Sequence, residues 1–179
     1  MTNSTISSRK LDHIQLAFES QLSDADQRFY YEPMLSAHPE LTIIPSLTLA
    51  GATMQIPLWI SSMTGGAEMA GKINLLLAEA CKTYGLGMGL GSCRPVLENS
   101  EYSRDFEIRK HIGEQPLFAN LGIAQIEELI ALNQLQKLVD MVHRLEANGL
   151  IIHVNPLQEW MQPEGDRFAL SPLETVKRV

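Results

Sequence analysis

From residue 58 onward, strand-like and helix-like segments alternate along the chain. The strand-like segments are LWISSM (58–63), GLGMGLGSC (85–93), PLFANLG (116–122) and GLIIHVN (149–155). The helical patterns cover residues 67–84, 99–112, about 128–148, and the segment that begins with SPLETVKRV at 171–179. Strands that alternate with helices at this spacing predict an α/β fold, with a parallel sheet covered by helices.

Glycine and proline mark several helix boundaries. Gly85 and Gly149 follow two of the helical patterns at the usual terminal position. Ser171 is a candidate cap, and Pro172 suits the first turn that follows it. The chain therefore shows four strand–helix units. A doubly wound sheet could stop at this number, whereas an eight-unit barrel needs roughly 250 residues.

The segment before residue 58 has a different character. Residues 8–20 predict a helix with an apolar stripe at Leu11, Ile14 and Phe18. Residues 41–60 predict short strands, two of them joined by a turn at Gly51. We divide the chain into an N-terminal helix and strand segment, 1–57, and the alternating units, 58–179.

Composition excludes several classes of protein. A net charge of −7 argues against nucleic-acid binding, which needs a clustered basic face. No apolar run is long enough to span a bilayer, so we expect no membrane association. Cys81 and Cys93 form no disulfide framework, and the start of the chain lacks the apolar core of a signal peptide. These features predict a cytoplasmic protein.

Polar side chains gather where the predicted strands end, which is the edge on which parallel α/β folds build their sites. In the fourth strand, alternation places His153 and Asn155 on one face, and Gln158 and Glu159 follow in the next loop. A lone buried histidine is usually an ordinary core residue. Four polar groups that converge on one strand end favour a functional site.

The second strand carries glycine at every second position, from Gly85 to Gly91. Glycine inside a strand often marks the close approach of a backbone or a ligand. A flat aromatic cofactor would need such room, and tight strand-to-helix packing is the alternative. The segment is not a dinucleotide-binding fingerprint, because its glycine spacing differs and it lies within a strand.

Other charged residues suit an anion and a metal ion. Arg9, Lys10 and His13 lie near one face of the first helix, where cations could neutralise a phosphate, although in most proteins such residues are simply a solvated, charged helix start. Arg94 follows the glycine strand directly. Glu159 could supply one oxygen ligand to Mg²⁺, which takes others from water and phosphates, but surface glutamates are common.

Five motifs in order resemble one family. They are SRKLDH (8–13), SSMTGG (61–66), GLGSCR (89–94), ANLG (119–122) and HVNPLQEWMQPEGD (153–166). Together they are similar to the type 2 isopentenyl-diphosphate isomerases, from about residue 8 to the end. The resemblance implies a (β/α)8 TIM barrel that interconverts isopentenyl and dimethylallyl diphosphate in isoprenoid biosynthesis. It also implies reduced FMN, Mg²⁺, and NADPH as the reductant of the flavin.

The resemblance assigns a role to individual residues. Residues implied to bind the diphosphate substrate are Arg9, Lys10, His13, Ser92, Cys93, Arg94 and Gln158. Residues implied to line FMN are Ser62, Met63, Thr64, Ser92 and Asn120. His153, Asn155 and Gln158 would lie beside the reacting part of the substrate, and Glu159 would bind Mg²⁺. The family more often has Gln or Met where this chain has Cys93, so only a backbone contact is expected there.

The resemblance further implies an N-terminal half-barrel. The later units of the family hold the FMN phosphate and contribute a lysine near the flavin, and this chain stops at Val179 inside the fourth helix. We therefore expect the isolated chain to be inactive and the full-length form to be a homo-oligomer; a half-barrel that pairs with a second copy is the alternative. Two other functions stay open: another FMN barrel enzyme, such as a 2-hydroxy acid oxidase, and a non-catalytic half-barrel module.

Overall fold

The structure is a computed structural model of the chain. It describes residues 11–12, 14–19, 34, 37, 44–62, 64–65, 69–99 and 101–179. Residues 11–12 and 14–19 are helical, as the sequence predicts. Among the described residues, no helix combines the length and the apolar character needed to cross a membrane.

The described chain continues through short strands into alternating elements. In order these are β1 (Leu47–Leu49), β2 (Ala52–Met54), β3 (Trp59–Ile60), α1 (Ala70–Tyr84), β4 (Gly87–Gly89), α2 (Arg94–Leu97), a 3-10 helix (Glu101–Phe106), α3 (Arg109–Ile112), β5 (Leu117–Gly122), α4 (Ile123–Ala131), α5 (Gln136–Arg144), β6 (Gly149–His153), α6 (Pro156–Met161) and α7 (Pro172–Val176).

The described strands form two sheets. β1 and β2 pair as an antiparallel hairpin whose turn contains Gly51, as predicted. β3, β4, β5 and β6 form a parallel sheet in that order, so each strand lies beside the next one in sequence. The described chain thus has an α/β architecture with a four-stranded parallel sheet and a small antiparallel sheet.

Helices cover one face of the parallel sheet. Met88, Leu117 and Ala119 on this face are almost completely buried against α1, α2, α3 and α5. A second apolar cluster joins Leu121 of β5 to α4, including Ile126. Burial of these side chains stabilises the sheet and fixes which face is turned away from the helices.

The opposite face carries Trp59, Phe118 and Ile151, which are only half-buried. The rings of Trp59 and Phe118 meet edge to face, with centroids 5.4 Å apart. A doubly wound sheet reverses its strand order at a switch point and has helices on both faces. The described sheet does neither, which argues against a doubly wound fold. The half-barrel stays a prediction.

The glycine strand is packed by protein and not left open for a flat cofactor. A Cβ at Gly87 would overlap the indole of Trp59, and a Cβ at Gly89 would overlap the hydroxyl of Ser62. A Cβ at Gly91 would overlap the backbone of Thr64. The expectation of cofactor room along the strand is therefore wrong, and tight packing is the better explanation, although its partners are neighbouring strand ends and not a helix.

The helix predicted over 99–112 is wrong. A 3-10 helix and the short helix α3 occupy most of this segment, and Asn99 has a left-handed backbone with φ of +49°. Phe106 and Ile108 are both almost completely buried. Residues two apart do not share a helix face, so the chain must leave regular helical geometry to bury both.

The single helix predicted over 128–148 is also wrong. Helix α4 already begins at Ile123, and Asn133, with φ of +54°, lies in the break that separates α4 from α5. Asparagine tolerates this left-handed conformation better than most residues. The chain leaves α5 through Glu146, with φ of +48°, so Gly149 opens β6 and does not end a helix.

Two predicted helix boundaries are confirmed. Gly85 ends α1 in the left-handed conformation, and its N–H donates to the carbonyl of Cys81. Ser171 caps α7 in a reciprocal arrangement with Glu174, and Pro172 occupies the first turn. The hydrogen bonds to Ser171 hold the pKa of Glu174 below its ordinary value.

Candidate functional site

A cavity of about 270 Å³ opens at the carboxyl edge of the parallel sheet. The sequence-predicted site residues that line it are Ser62, Ser92, Arg94, Asn120, His153, Asn155, Gln158 and Glu159. They come from the ends of β3, β4, β5 and β6, as expected for a parallel α/β fold. Of the other predicted site residues, Thr64 and Cys93 are described but do not line the cavity, and Arg9, Lys10, His13 and Met63 lie outside the described residues.

Asn120 is the most buried polar group on the cavity wall, with only 6% of its surface exposed. Its side-chain oxygen is buried and accepts no hydrogen bond from any described residue. A buried acceptor without a donor is costly, so its partner is expected to be a bound group. Among the described residues, this orphaned oxygen is the clearest sign of a missing ligand.

Thr64 lies beside the cavity and is not part of its wall. Its hydroxyl donates to the side-chain oxygen of Asn74 at 2.5 Å, and the amide of Asn74 donates to the carbonyl of Asp105 at 3.0 Å. Asn74 belongs to α1 and is completely buried. It anchors the segment after β3, and the sequence analysis missed it because a single Asn in a helical pattern carries no signal.

Cys93 is also absent from the cavity wall. Its side chain is completely buried, and its sulfur lies 3.4 Å from the carbonyl oxygen of Gly91 and 3.5 Å from the amide nitrogen of Asn120. The thiol therefore packs beneath the cavity wall and does not face the cavity. A substrate contact at this position would have to use the backbone.

Arg94 projects from the first turn of α2 and is half-exposed. Its Nε donates to Glu98 at 2.8 Å, and Nη1 donates to Asp166 at 3.2 Å. Burial alone would lower the pKa of Arg94, but the hydrogen bond and charge of Glu98 and the charge of Asp166 raise it above its ordinary value. The cavity thus holds a permanent positive charge.

Glu159 lies in the first turn of α6 and is half-buried. Its Oε1 accepts from the side-chain amide of Asn155 at 2.9 Å, and its Oε2 accepts from the backbone N–H of Asp166 at 2.8 Å. Each oxygen keeps a second lone pair that could face a metal ion. No three His, Cys, Asp or Glu side chains of the described chain come together as a metal cage.

His153 and Asn155 line the same cavity, as their predicted shared face requires. His153 ends β6 and is exposed, whereas Asn155 is half-buried because it turns toward α6. The amide of Asn155 also lies 3.4 Å from the side-chain oxygen of Gln158. The end of β6 therefore presents an imidazole, two amides and a carboxylate in one short stretch.

Sequence reasoning missed three residues of the site, Asp166, Gln125 and Glu98, which also line the cavity. Gln125 donates to Asp166 at 2.5 Å. The motif that ends in QPEGD contains Asp166, so a signal was present, but the order of residues does not reveal that this carboxylate meets Arg94. That contact joins positions 72 residues apart.

The cavity therefore combines a cation, a carboxylate with free lone pairs and a buried amide oxygen without a donor among the described residues. Among the described residues on its wall, no nucleophile is paired with a base in the manner of covalent catalysis. Such a site can bind an anion and a divalent cation together, and can orient a second group against Asn120.

Comparison with known proteins gives relatives named isopentenyl-diphosphate delta-isomerase. The chain is 42% identical over 186 residues to the isopentenyl-diphosphate delta-isomerase of Cronobacter sakazakii, covering 100% of this chain and 53% of the relative. It is 40% identical over 166 residues to that of a Synechocystis species, covering 89% and 47%. It is 33% identical over 178 residues to that of Metallosphaera sedula, covering 96% and 48%. No protein-family model matches the chain.

These comparisons correct the resemblance drawn from the motifs. The relatives are named isopentenyl-diphosphate delta-isomerase without a type and without a flavin. The identification of the chain as the N-terminal half of a type 2 isomerase is therefore wrong, and the comparisons support the isomerase name alone. The chain spans about half the length of the curated relatives it matches. It is similar, over nearly its whole length, to about half of an isopentenyl-diphosphate delta-isomerase.

Proposed function

We propose that this chain carries the substrate-facing residues of an enzyme that isomerises isopentenyl diphosphate to dimethylallyl diphosphate. The observation that carries the proposal is the cavity at the carboxyl edge of the sheet, which unites Arg94 with Glu159 and the end of β6. Similarity to proteins named for this reaction supports the substrate. Neither a 2-hydroxy acid nor a purely structural role calls for this combination.

Arg94 would bind the diphosphate. A guanidinium pairs strongly with phosphate oxygens, and the pKa of Arg94, raised by Glu98 and Asp166, keeps it charged at every pH of interest. Arg9 and Lys10 of the RK pair would add positive charge, as the sequence analysis expects. The two acidic partners of Arg94 leave part of its fork free for an anion.

Glu159 would hold Mg²⁺ together with the substrate. Magnesium usually takes one or two carboxylates and fills its other positions with water and substrate phosphates. The donor set fits this pattern, because Glu159 keeps one lone pair on each oxygen after bonding to Asn155 and Asp166. The metal would neutralise the diphosphate charge that Arg94 does not.

FMN, reduced by NADPH, is the cofactor that we propose beside the substrate. The fit rests on Asn120, whose orphaned buried oxygen suits an N–H donor of a flavin ring, with Ser62 and Ser92 on the same wall. When bound, a reduced flavin supplies the acid–base chemistry at the alkene. His153, Asn155 and Gln158 would orient the substrate, and closure of the cavity would exclude water.

The sheet itself is proposed as the first part of a (β/α)8 barrel. Its strands follow one another in sequence order, with helices on one face only. In a barrel, the half-buried residues Trp59, Phe118 and Ile151 would fill the interior against later strands. The cavity would then open at the end of the barrel where catalytic residues gather.

A chimaera tests the proposed reaction. This chain would replace the aligned half of the Cronobacter sakazakii relative, and product formation from isopentenyl diphosphate would be followed by NMR with FMN, NADPH and Mg²⁺ present. We expect the chimaera to form dimethylallyl diphosphate and the isolated chain to form none. A correctly folded chimaera that binds the substrate but yields no product would contradict the proposal.

A further inference from the structure

The loop after α6 touches both charged groups of the proposed site through one residue. The carboxylate of Asp166 accepts from Arg94 at 3.2 Å and from Gln125 at 2.5 Å. Its backbone N–H donates to the carboxylate of Glu159 at 2.8 Å. Asp166 thus connects the first turn of α2, the start of α4 and the first turn of α6.

The loop is built to lie close to α6. A Cβ at Gly165, directly before Asp166, would overlap the carbonyl group of Glu159, so only glycine permits this approach. Directly after it, the guanidinium of Arg167 lies 4.5 Å from the centre of the Trp160 ring. It also donates to the carbonyl oxygen of Glu159 at 3.4 Å. Both neighbours of Asp166 therefore hold the loop against the helix that carries Glu159.

We propose that Asp166 is a positioning residue that sets Arg94 and Glu159 in one arrangement, so that the diphosphate and its metal ion are bound as a unit. The proposal rests on the proposed function for the roles of these two residues. A carboxylate that faces a substrate-binding arginine would otherwise only compete with the anion. Here the same residue, through its N–H, orients the carboxylate proposed to bind the metal.

Glu98 provides the contrast. It also pairs with Arg94, at 2.8 Å, and its side chain is about half exposed, at 52%. It lines the cavity directly after the short helix α2, and its hydrogen bond to Arg94 involves neither the loop nor Glu159. Loss of Glu98 should therefore loosen Arg94 alone, whereas loss of Asp166 should loosen both Arg94 and Glu159.

Two readouts on the full chain test the proposal, with Asp166→Ala, Asp166→Asn and Glu98→Gln compared with the unchanged protein. Amide hydrogen exchange of residues 156–166 reports how firmly the loop is held, whatever the function. We expect exchange there to be on the order of tenfold faster in Asp166→Ala, intermediate in Asp166→Asn and unchanged in Glu98→Gln. Equal exchange in Asp166→Ala and the unchanged protein would overturn the proposal.

Calorimetric titration with isopentenyl diphosphate over a series of Mg²⁺ concentrations is the second readout. Asp166→Ala should weaken binding at saturating Mg²⁺ and also raise the Mg²⁺ concentration needed, each by about tenfold. Glu98→Gln should only weaken binding. An unchanged Mg²⁺ requirement in Asp166→Ala would mean that the residue only holds the loop and does not position Glu159, which would overturn the proposal.

The two readouts separate the inference from the proposed function. If the unchanged chain binds no isopentenyl diphosphate at any Mg²⁺ concentration, the proposed role of Arg94 and Glu159 fails. Hydrogen exchange then still decides the positioning role. Exchange that is faster in Asp166→Ala than in Glu98→Gln and the unchanged protein supports it, and no difference among the variants overturns it.

Discussion

At the scale of single residues, the site depends on groups whose partners are only partly supplied by the described chain. Asn120 has a buried oxygen without a donor, and Glu159 has two oxygens that are each bonded once. Arg94 is held between two carboxylates and still faces the cavity. Each of these groups gains a partner if a diphosphate, a metal ion and a flavin occupy the site.

The metal role of Glu159 is tested by Glu159→Gln. The amide keeps the size of the side chain but removes the charge, so the Mg²⁺ concentration that supports half-maximal substrate binding should rise by at least about tenfold. The measurement is calorimetry with isopentenyl diphosphate. Glu164→Gln, on the same cavity wall, is the matched control and should leave the requirement unchanged. An unaltered requirement in Glu159→Gln would remove the metal assignment.

Cys81 gives a prediction about chemical reactivity. Burial against the helix-covered face of the sheet raises the pKa of its thiol from 9.0 to about 11. Only the thiolate reacts readily, and its fraction becomes large only above that pKa. Peptide mapping after iodoacetamide treatment at pH 8 should find Cys81 unmodified in the folded protein and modified in urea. Rapid labelling without urea would contradict the burial.

At the scale of elements, the sequence predicts types and order better than boundaries. Periodicity located α1 and the parallel strands, and Gly85 and Ser171 marked helix boundaries correctly. The long helices predicted near 99–112 and 128–148 failed because tertiary burial overrides local pattern. Phe106 and Ile108 must both be buried, which no single helix face allows.

Some residues of the site were likewise predictable from the sequence, and others were not. Alternation placed His153 and Asn155 on one cavity wall, because a strand fixes the direction of every second side chain. Asp166 and Gln125 could not be found in this manner. Their roles come from contacts between segments that are distant in sequence, and no local pattern encodes such contacts.

The break between α4 and α5 yields a prediction about stability. Asn133 has φ of +54°, a conformation that costs most L-residues about 1–2 kcal/mol. Asn133→Ala should therefore lower the free energy of unfolding by about 1 kcal/mol, measured by urea denaturation, because alanine lacks the tolerance of asparagine. Asn133→Gly, which permits this backbone, should change it little. Equal losses in both variants would point to side-chain contacts instead.

At the scale of the whole molecule, the described sheet has one face packed by helices and one face that is half-buried. Trp59 and Ile151 on the half-buried face lie beside Gly89, and so does Ser62 of the cavity wall. The proposed barrel would complete both the interior and the flavin site.

Flavin binding tests this division of the site. FMN titration, followed by flavin fluorescence, should show tight binding to the chimaera and none to the isolated 179-residue chain, because the phosphate grip of a barrel usually comes from its last units. Tight binding to the isolated chain would contradict a shared site. It would favour instead the pairing of two copies.

The location of the site can be read directly from arginine side-chain resonances. NMR spectra of the isotope-labelled chain would be recorded during titration with isopentenyl diphosphate and Mg²⁺. Arg109 is an internal control, because its guanidinium is committed to the carbonyl groups of Gly113, Gln115 and Glu146 at the other end of the sheet. We expect the Nε resonance of Arg94 to shift and that of Arg109 to stay unchanged. A shift at Arg109 alone, or at neither arginine, would contradict a diphosphate site at the carboxyl edge.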